Sequence, residues 1–223
     1  MADTSFQKST TREYFESIVV AVILALFIRT FVVQAFKIPT GSMEPNLLVG
    51  DHLLVNKFIF APTASPIERT ALAMRQIKRG DVVVFKFPEE PERDFIKRVI
   101  GLPGDTLEVR NRQVLINGTG IDEPYAHYLF PVGEDQTETF DVRARYGPVS
   151  VPQGHFFMMG DNRDNSQDSR YWGFLPAHYV KGRALMIYWS FEQPAGEQPG
   201  GVLHTITSIF TGTRWERLLH QIH

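Results

Sequence analysis

Ser42 stands in the run Lys37-Ile-Pro-Thr-Gly-Ser-Met-Glu-Pro-Asn-Leu47, where Pro39, Gly41 and Pro45 confine the backbone to a restricted, non-helical path. A hydroxyl held in this way can act as a nucleophile if a base lies beside it. It can equally be an ordinary turn serine, because serine is common between proline and glycine. No standard partner set surrounds it: Ser42 is not within G-x-S-x-G, Pro45 stands where S-x-x-K needs lysine, and the chain holds no H-E-x-x-H.

A lysine is the better candidate for the base. Lys97 lies in Phe95-Ile-Lys-Arg-Val-Ile-Gly-Leu-Pro-Gly-Asp105, an otherwise apolar strand, so alternation puts it on the face opposite Ile96. Facing a dry pocket, its ammonium form is disfavoured, its pKa falls, and a neutral amine becomes available near neutral pH. Facing water on an edge strand, it is a plain surface lysine. His52 and His155 sit in or beside strands and read as structural residues, while His220 and His223 are close to the end of the chain.

A third cluster, Gly160-Asp-Asn-Arg-Asp-Asn-Ser-Gln-Asp-Ser-Arg170, concentrates acidic and basic side chains around Ser166 and Ser169. It is not a calcium loop: counted from Asp161 the third position is Arg163, and counted from Asp164 the sixth is Ser169 rather than glycine. Forked arginine–carboxylate pairs here would lock the loop against the strand of Lys97 and offer Ser166 to the amine. A solvated charged turn has the same composition.

Composition narrows the field. The 223 residues are 43% hydrophobic with a formal net charge of −2, which argues against a partner bound by phosphate neutralisation, and no nucleic acid is expected. The absence of cysteine removes disulfides, thiolate nucleophiles and thiolate-bound zinc, leaving serine, lysine, histidine and carboxylates for any chemistry; no cofactor or metal is expected.

The elements that must position these residues are of two kinds. Ile18 to Ile28 is uninterrupted apolar sequence, followed by Arg29, Thr30 and Phe-Val-Val-Gln-Ala-Phe36. As a helix, Ile18 to Phe36 would extend roughly 28 Å, close to the hydrocarbon thickness of a bilayer. A membrane anchor over residues 14–36 is expected, with Arg29 snorkelling to the headgroups; a cleavable leader ending near Val33-Gln34-Ala35 is the competing reading. Lys8 and Arg12 before the run, against Lys37 behind it, favour a cytoplasmic N-terminus at 1–13.

After the anchor the sequence predicts short strands at His52–Phe58, Asp81–Phe87, Phe95–Ile100, Thr106–Arg110, Gln113–Ile116, Phe156–Met159 and Ala184–Trp189, with Asn111-Arg112 as a hairpin turn. Ala61 to Arg79 and Asn117 to Pro152 lack periodicity and read as loops or insertions. The fold class predicted is mainly β: an antiparallel, barrel-like catalytic domain over 37–116 and 153–192, an inserted β lobe at 117–152, and one N-terminal transmembrane helix. Gln193 to Gly201 reads as a linker, and Trp215, Leu218, Leu219 and Ile222 share one helical face, predicting a short amphipathic helix within 193–223.

Taken together and in order, the boxes Ser42-Met-Glu-Pro-Asn-Leu47, Gly50-Asp51, Arg79-Gly-Asp-Val-Val83, Lys97-Arg-Val-Ile-Gly-Leu-Pro-Gly-Asp105 and Gly160-Asp-Asn-Arg163 with Ser166 and Asp168-Ser-Arg170 resemble the bacterial type I signal peptidases. These are membrane-anchored serine proteases, and the likeness runs over most of residues 14 to 190. Asn46 stands where the family often has threonine, and Thr40 where many members carry serine. The resemblance implies Ser42 as nucleophile, Lys97 as general base, and an oxyanion hole of the Ser42 N–H and the Thr40 hydroxyl. It implies support of the pair by Ser166, Arg98, Asp161, Asp168 and Arg170. Substrate would lie extended against Asp94, Phe95 and Ile96 on one side and Ile38, Pro39 and Met43 on the other, with small residues preferred as in A-x-A sites. The implied partners are secretory preproteins and the lipid bilayer, for a monomer in the bacterial inner membrane with its catalytic domain on the extracytoplasmic face. Two rivals share parts of this pattern. The self-cleaving SOS-response repressors need a DNA-binding N-terminus that an apolar run cannot supply, and a membrane-anchored β module would keep the boxes as structure only.

Overall fold

The structure, a computed structural model, describes residues 10–29, 33–57, 76–130, 142–192 and 211–222. Helix α1 spans Thr10–Phe27 and buries none of its side chains: Ile18, Ile23 and Leu26 stand 62%, 62% and 57% exposed. No helix among the described residues is long and apolar enough to cross a membrane. The expected helical span to Phe36 is corrected at its second half, where Val33–Lys37 form strand β1 and pair with β2, Asp51–Asn56. Extended backbone suits this β-branched and aromatic stretch, and it lets Phe36 pack on the core under the site.

Ten more strands follow: β3 Val82–Lys86, β4 Asp94–Gly101, β5 Thr106–Arg110, β6 Gln113–Ile116, β7 Thr119–Gly120, β8 Arg145–Ser150, β9 His155–Met159, β10 Leu175–Pro176, β11 Val180–Ser190 and β12 His220–Gln221. Every strand pair is antiparallel. The main sheet runs β1-β2-β11-β3-β4-β9-β10 with β12 added beside β11, and a second sheet runs β7-β6-β5-β8. The mainly β, antiparallel architecture is as expected.

The apolar run of β3 has a simple cause: both its faces are covered. Val82 and Val84 join a cluster with Ile38, Met43, Leu47 and Ile96, while Val83 and Phe85 join another with Val99, Met158 and Leu175. A third cluster, in which Ile100, Phe157 and Met159 meet Leu107, Val109 and Val114, seats the second sheet on the first. Asn111 and Arg112 turn the β5–β6 hairpin at φ of 50° and 66°, the positive values a two-residue hairpin turn needs.

Two boundaries differ from expectation. The second sheet begins at Thr106 rather than at 117, because β5 and β6 pair with β7 and β8 and not with the main sheet. The C-terminal segment is not an amphipathic helix: Trp215–Arg217 form a single 3-10 turn, Leu219 takes φ 60°, and His220–Gln221 add a strand to β11. The segment gains more from sheet hydrogen bonds and from Arg217, which bonds the buried Asp51 at 2.7 Å, than from a helical face. The expectations for 61–75, 131–141 and the linker 193–201 lie outside the described residues.

Candidate active site

Ser42 occupies a 3-10 turn, Gly41–Met43, entered from an extended Thr40. Its side chain is 7% exposed, and its own N–H makes no hydrogen bond among the described residues. An N–H left free at the start of such a turn is available to an incoming oxyanion. The Ser42 carbonyl instead accepts from Asn162 N at 3.1 Å, and Gly41 O accepts from Asn162 Nδ2 at 3.2 Å, so the turn hangs from the Asp161–Asn165 loop. Gly160 makes this approach possible: a Cβ there would stand 2.5 Å from Ser42 O and 2.2 Å from Ser166 Oγ.

Strand β4 brings Lys97 to the same point. Its Nζ donates to Ser42 Oγ at 2.5 Å and to Ile96 O at 3.0 Å, and only 3% of the residue meets solvent. Burial pulls its pKa down from 10.5 to about 8, against Asp168 and Asp161, which favour the ammonium, and with Arg170, which opposes it. The amine is thus poised to exchange a proton near neutrality.

The acidic residues near Lys97 are themselves committed. Arg98 forks onto Asp161 at 2.8 and 2.7 Å, and Arg170 onto Asp168 at 2.8 and 2.8 Å, all four side chains being buried. Burial alone would raise the pKa of Asp168, but the Arg170 fork and the Gly160 N–H hold it below the usual carboxylate range. Both carboxylates therefore act as fixed anions that brace the loop, and neither touches Lys97 Nζ.

Each expected residue can now be placed. Thr40 is exposed and lines, with Phe36, Pro39 and Ser42, one wall of a cleft of about 550 Å³; Asp94, Phe95, Ile96 and Lys97 line the other, and Asn165 and Gln167 stand at its rim. Ile38 and Met43, expected on the wall, are fully buried in the core beneath it, because Ile38 bonds Asp51 O and Gly50 N through its backbone and turns its side chain inward. Ser166, expected to orient Lys97, does not bond it: its Oγ is buried without a hydrogen-bond partner, close enough to Asp168 to favour the carboxylate. Lys97 Nζ has turned to Ser42 and Ile96 O instead.

Some contributors were missed. Asn46 Nδ2 bonds both Asp161 Oδ2 at 2.9 Å and Tyr125 O at 2.8 Å, which gives the unusual residue of the serine box a clear role. Asn162 and Arg163 stand in the charged box of the sequence, but Glu123, the partner of Arg163, does not, since nothing local in the sequence joins residues 40 positions apart. Among the described residues no group of histidines and carboxylates is arranged to hold a metal ion.

A serine and a buried lysine in hydrogen-bond contact, opening on a cleft between two extended segments, define the class: this is a serine endopeptidase. The family described as signal peptidase, peptidase S26, matches residues 11–189. The chain belongs to that family. It is 36% identical over 209 residues to a signal peptidase I of Pseudomonas fluorescens, covering 82% of this chain and 74% of that one. It is 33% identical to a signal peptidase I of Aquifex aeolicus, covering 78% and 82%, and 38% identical to a probable signal peptidase I-2 of Synechocystis, covering 82% and 75%. A crystal structure of a signal peptidase I from Enterococcus faecalis is 33% identical, with a TM-score of 0.41 over 49% of this chain and 97% of that one; the sequence matches alone carry the assignment.

Proposed function

We propose that this endopeptidase removes N-terminal signal peptides from exported precursor proteins through a Ser42–Lys97 dyad. The observation that carries the reading is the 2.5 Å contact of a buried Lys97 Nζ with Ser42 Oγ, both lining one cleft of about 550 Å³. Neutral Lys97 takes the hydroxyl proton as Ser42 Oγ bonds to the scissile carbonyl carbon, and the oxyanion meets the free Ser42 N–H and the Thr40 hydroxyl. The ammonium then protonates the leaving amine, and the C–N bond breaks to leave an acyl-serine. Neutral again, Lys97 takes a proton from water as it attacks the ester, which releases the signal peptide and restores Ser42.

The unpaired edge of β4 at Asp94–Lys97 supports binding of substrate as an added strand, since β9 pairs only from Arg98 onward. Main-chain pairing tolerates varied sequences, as a processor of many precursors needs. The second half of α1, Ile18 to Phe27, is uninterrupted apolar sequence with its side chains exposed, and this supports a membrane anchor. In this reading the N-terminal segment 1–13 is cytoplasmic and the β domain, a monomer, works at the extracytoplasmic face of the bacterial inner membrane. The test is processing of a preprotein by the wild type, Ser42→Ala and Lys97→Ala. Cleavage by the wild type alone is expected, and equal cleavage by all three would end the proposal.

A further inference from the structure

The stretch that leaves β7 and precedes residue 131 wraps the back of the active-site loop. His127 N donates to Asp161 O at 2.7 Å, Arg163 N donates to His127 O at 2.8 Å, and both Leu129 N and Phe130 N donate to Asp164 Oδ2 at 2.9 and 3.1 Å. Tyr125 lays its ring on the Arg98 guanidinium at 4.0 Å and takes Asn46 Nδ2 on its carbonyl. The heart of this contact is one ion pair. Arg163, 1% exposed, forks onto Glu123 at 2.6 and 3.1 Å, and its Nε donates to Gly160 O at 3.1 Å.

A guanidinium stays charged at any working pH, so a buried one needs its counter-charge in place. Glu123 is the one carboxylate that pairs with Arg163 among the described residues. Without it the cation would move toward water and release Gly160 O. Gly160 is the residue against which the Ser42 carbonyl rests, with no room for even a methyl group between them.

We propose that Glu123 is a positioning residue for the Ser42–Lys97 pair, acting through Arg163 and Gly160, and that the segment carrying it straps the second sheet onto the active-site loop. The inference rests on the dyad reading. It gives the second sheet a part in catalysis without contact with substrate.

The test is steady-state cleavage of a signal-peptide substrate by Glu123→Gln. A drop in kcat of about tenfold or more with KM within about twofold is expected, since displacements on the order of an ångström at a reacting pair are costly. The acidic limb of the rate profile, set by Lys97 among Asp161, Asp168 and Arg170, should also move to higher pH as water reaches Nζ. Glu108→Gln, which breaks an exposed ion pair with Arg110 on the same sheet, should keep wild-type kinetics. The double variant Glu123→Leu with Arg163→Met removes both charges and guards against simple misfolding; it should fold and remain slow. Wild-type kcat in either variant, or a loss that only tracks the folded fraction with an unmoved limb, would overturn the role. Ser42→Ala separates the two proposals: if it still cleaves, the dyad falls and this inference with it, whereas a dead Ser42→Ala beside a fully active Glu123→Gln sinks the positioning role alone.

Discussion

Lys97 Nζ and Ser42 Oγ meet at 2.5 Å although 55 positions separate the two residues in the chain. The contact is made by a strand buried on both faces and a turn pinned by Asn162 and Gly160, so neither partner can drift independently. In the proposed mechanism the line along which they touch is the line the proton travels.

The first consequence is a pH profile. Only neutral Lys97 can accept the proton, and its pKa is lowered to about 8. The value of kcat/KM should therefore rise with pH through about 8 and level off above it. An unmodified lysine would give a limb near 10.5, and measuring the profile on a peptide substrate distinguishes the two.

A second consequence concerns stability. Lysine 97 titrates at about 8 folded against 10.5 unfolded, so the unfolded chain holds more protons between these values and stability rises with pH across that window. Below pH 8 the burial penalty is fully present, on the order of 3 kcal/mol at about 1.4 kcal/mol per tenfold change in the equilibrium. Lys97→Met should be inactive yet melt at higher temperature than the wild type at pH 7, with the difference shrinking toward pH 10. Denaturant unfolding at the two pH values measures it.

Thr40 offers a third. Its side chain is exposed on the cleft wall and caps nothing, so its removal should leave the fold intact. Thr40→Val is expected to lower kcat by about 10²–10³ with little change in KM, the usual cost of one oxyanion donor, while Thr40→Ser keeps most of the activity. Equal kcat for the valine and serine variants would remove Thr40 from the mechanism.

Gly160→Ala supplies the fourth. The added methyl would meet backbone Ser42 O at 2.5 Å and Ser166 Oγ at 2.2 Å, and the backbone contact cannot give way cheaply. We expect a fall in kcat of about 10² or more, larger than the loss in folded fraction measured by circular dichroism.

Much of this was legible in the sequence because it is written locally. The strand limits at Thr106–Arg110 and Gln113–Ile116 follow from clean alternation and a turn that tolerates positive φ. Ser42 was marked by its prolines and glycine, and Lys97 by being the one charge among apolar neighbours until Arg98. What stayed hidden depends on distant partners. Glu123 looks like any loop acid until the fold sets it against Arg163, and Ile38 and Met43 looked like pocket walls until the turn directed them into the core. The C-terminal apolar spacing fits a helix as well as a 3-10 turn and strand, and only Asp51 and the edge of β11 decide between them. Likewise the apolar N-terminal run carries no mark that its last part, from Val33, pairs with β2 as strand β1.

Arg217 reaches back 166 positions to Asp51 and also bonds Asn46 O, two carbonyl-side anchors of the turn that follows Ser42. Closing so long a loop is entropically slow compared with pairing neighbouring strands. A nascent chain that has yet to reach residue 217 holds both members of the dyad but has no guanidinium to offer Asp51. The turn that follows Ser42 therefore gains this brace only from a residue made long after the turn itself.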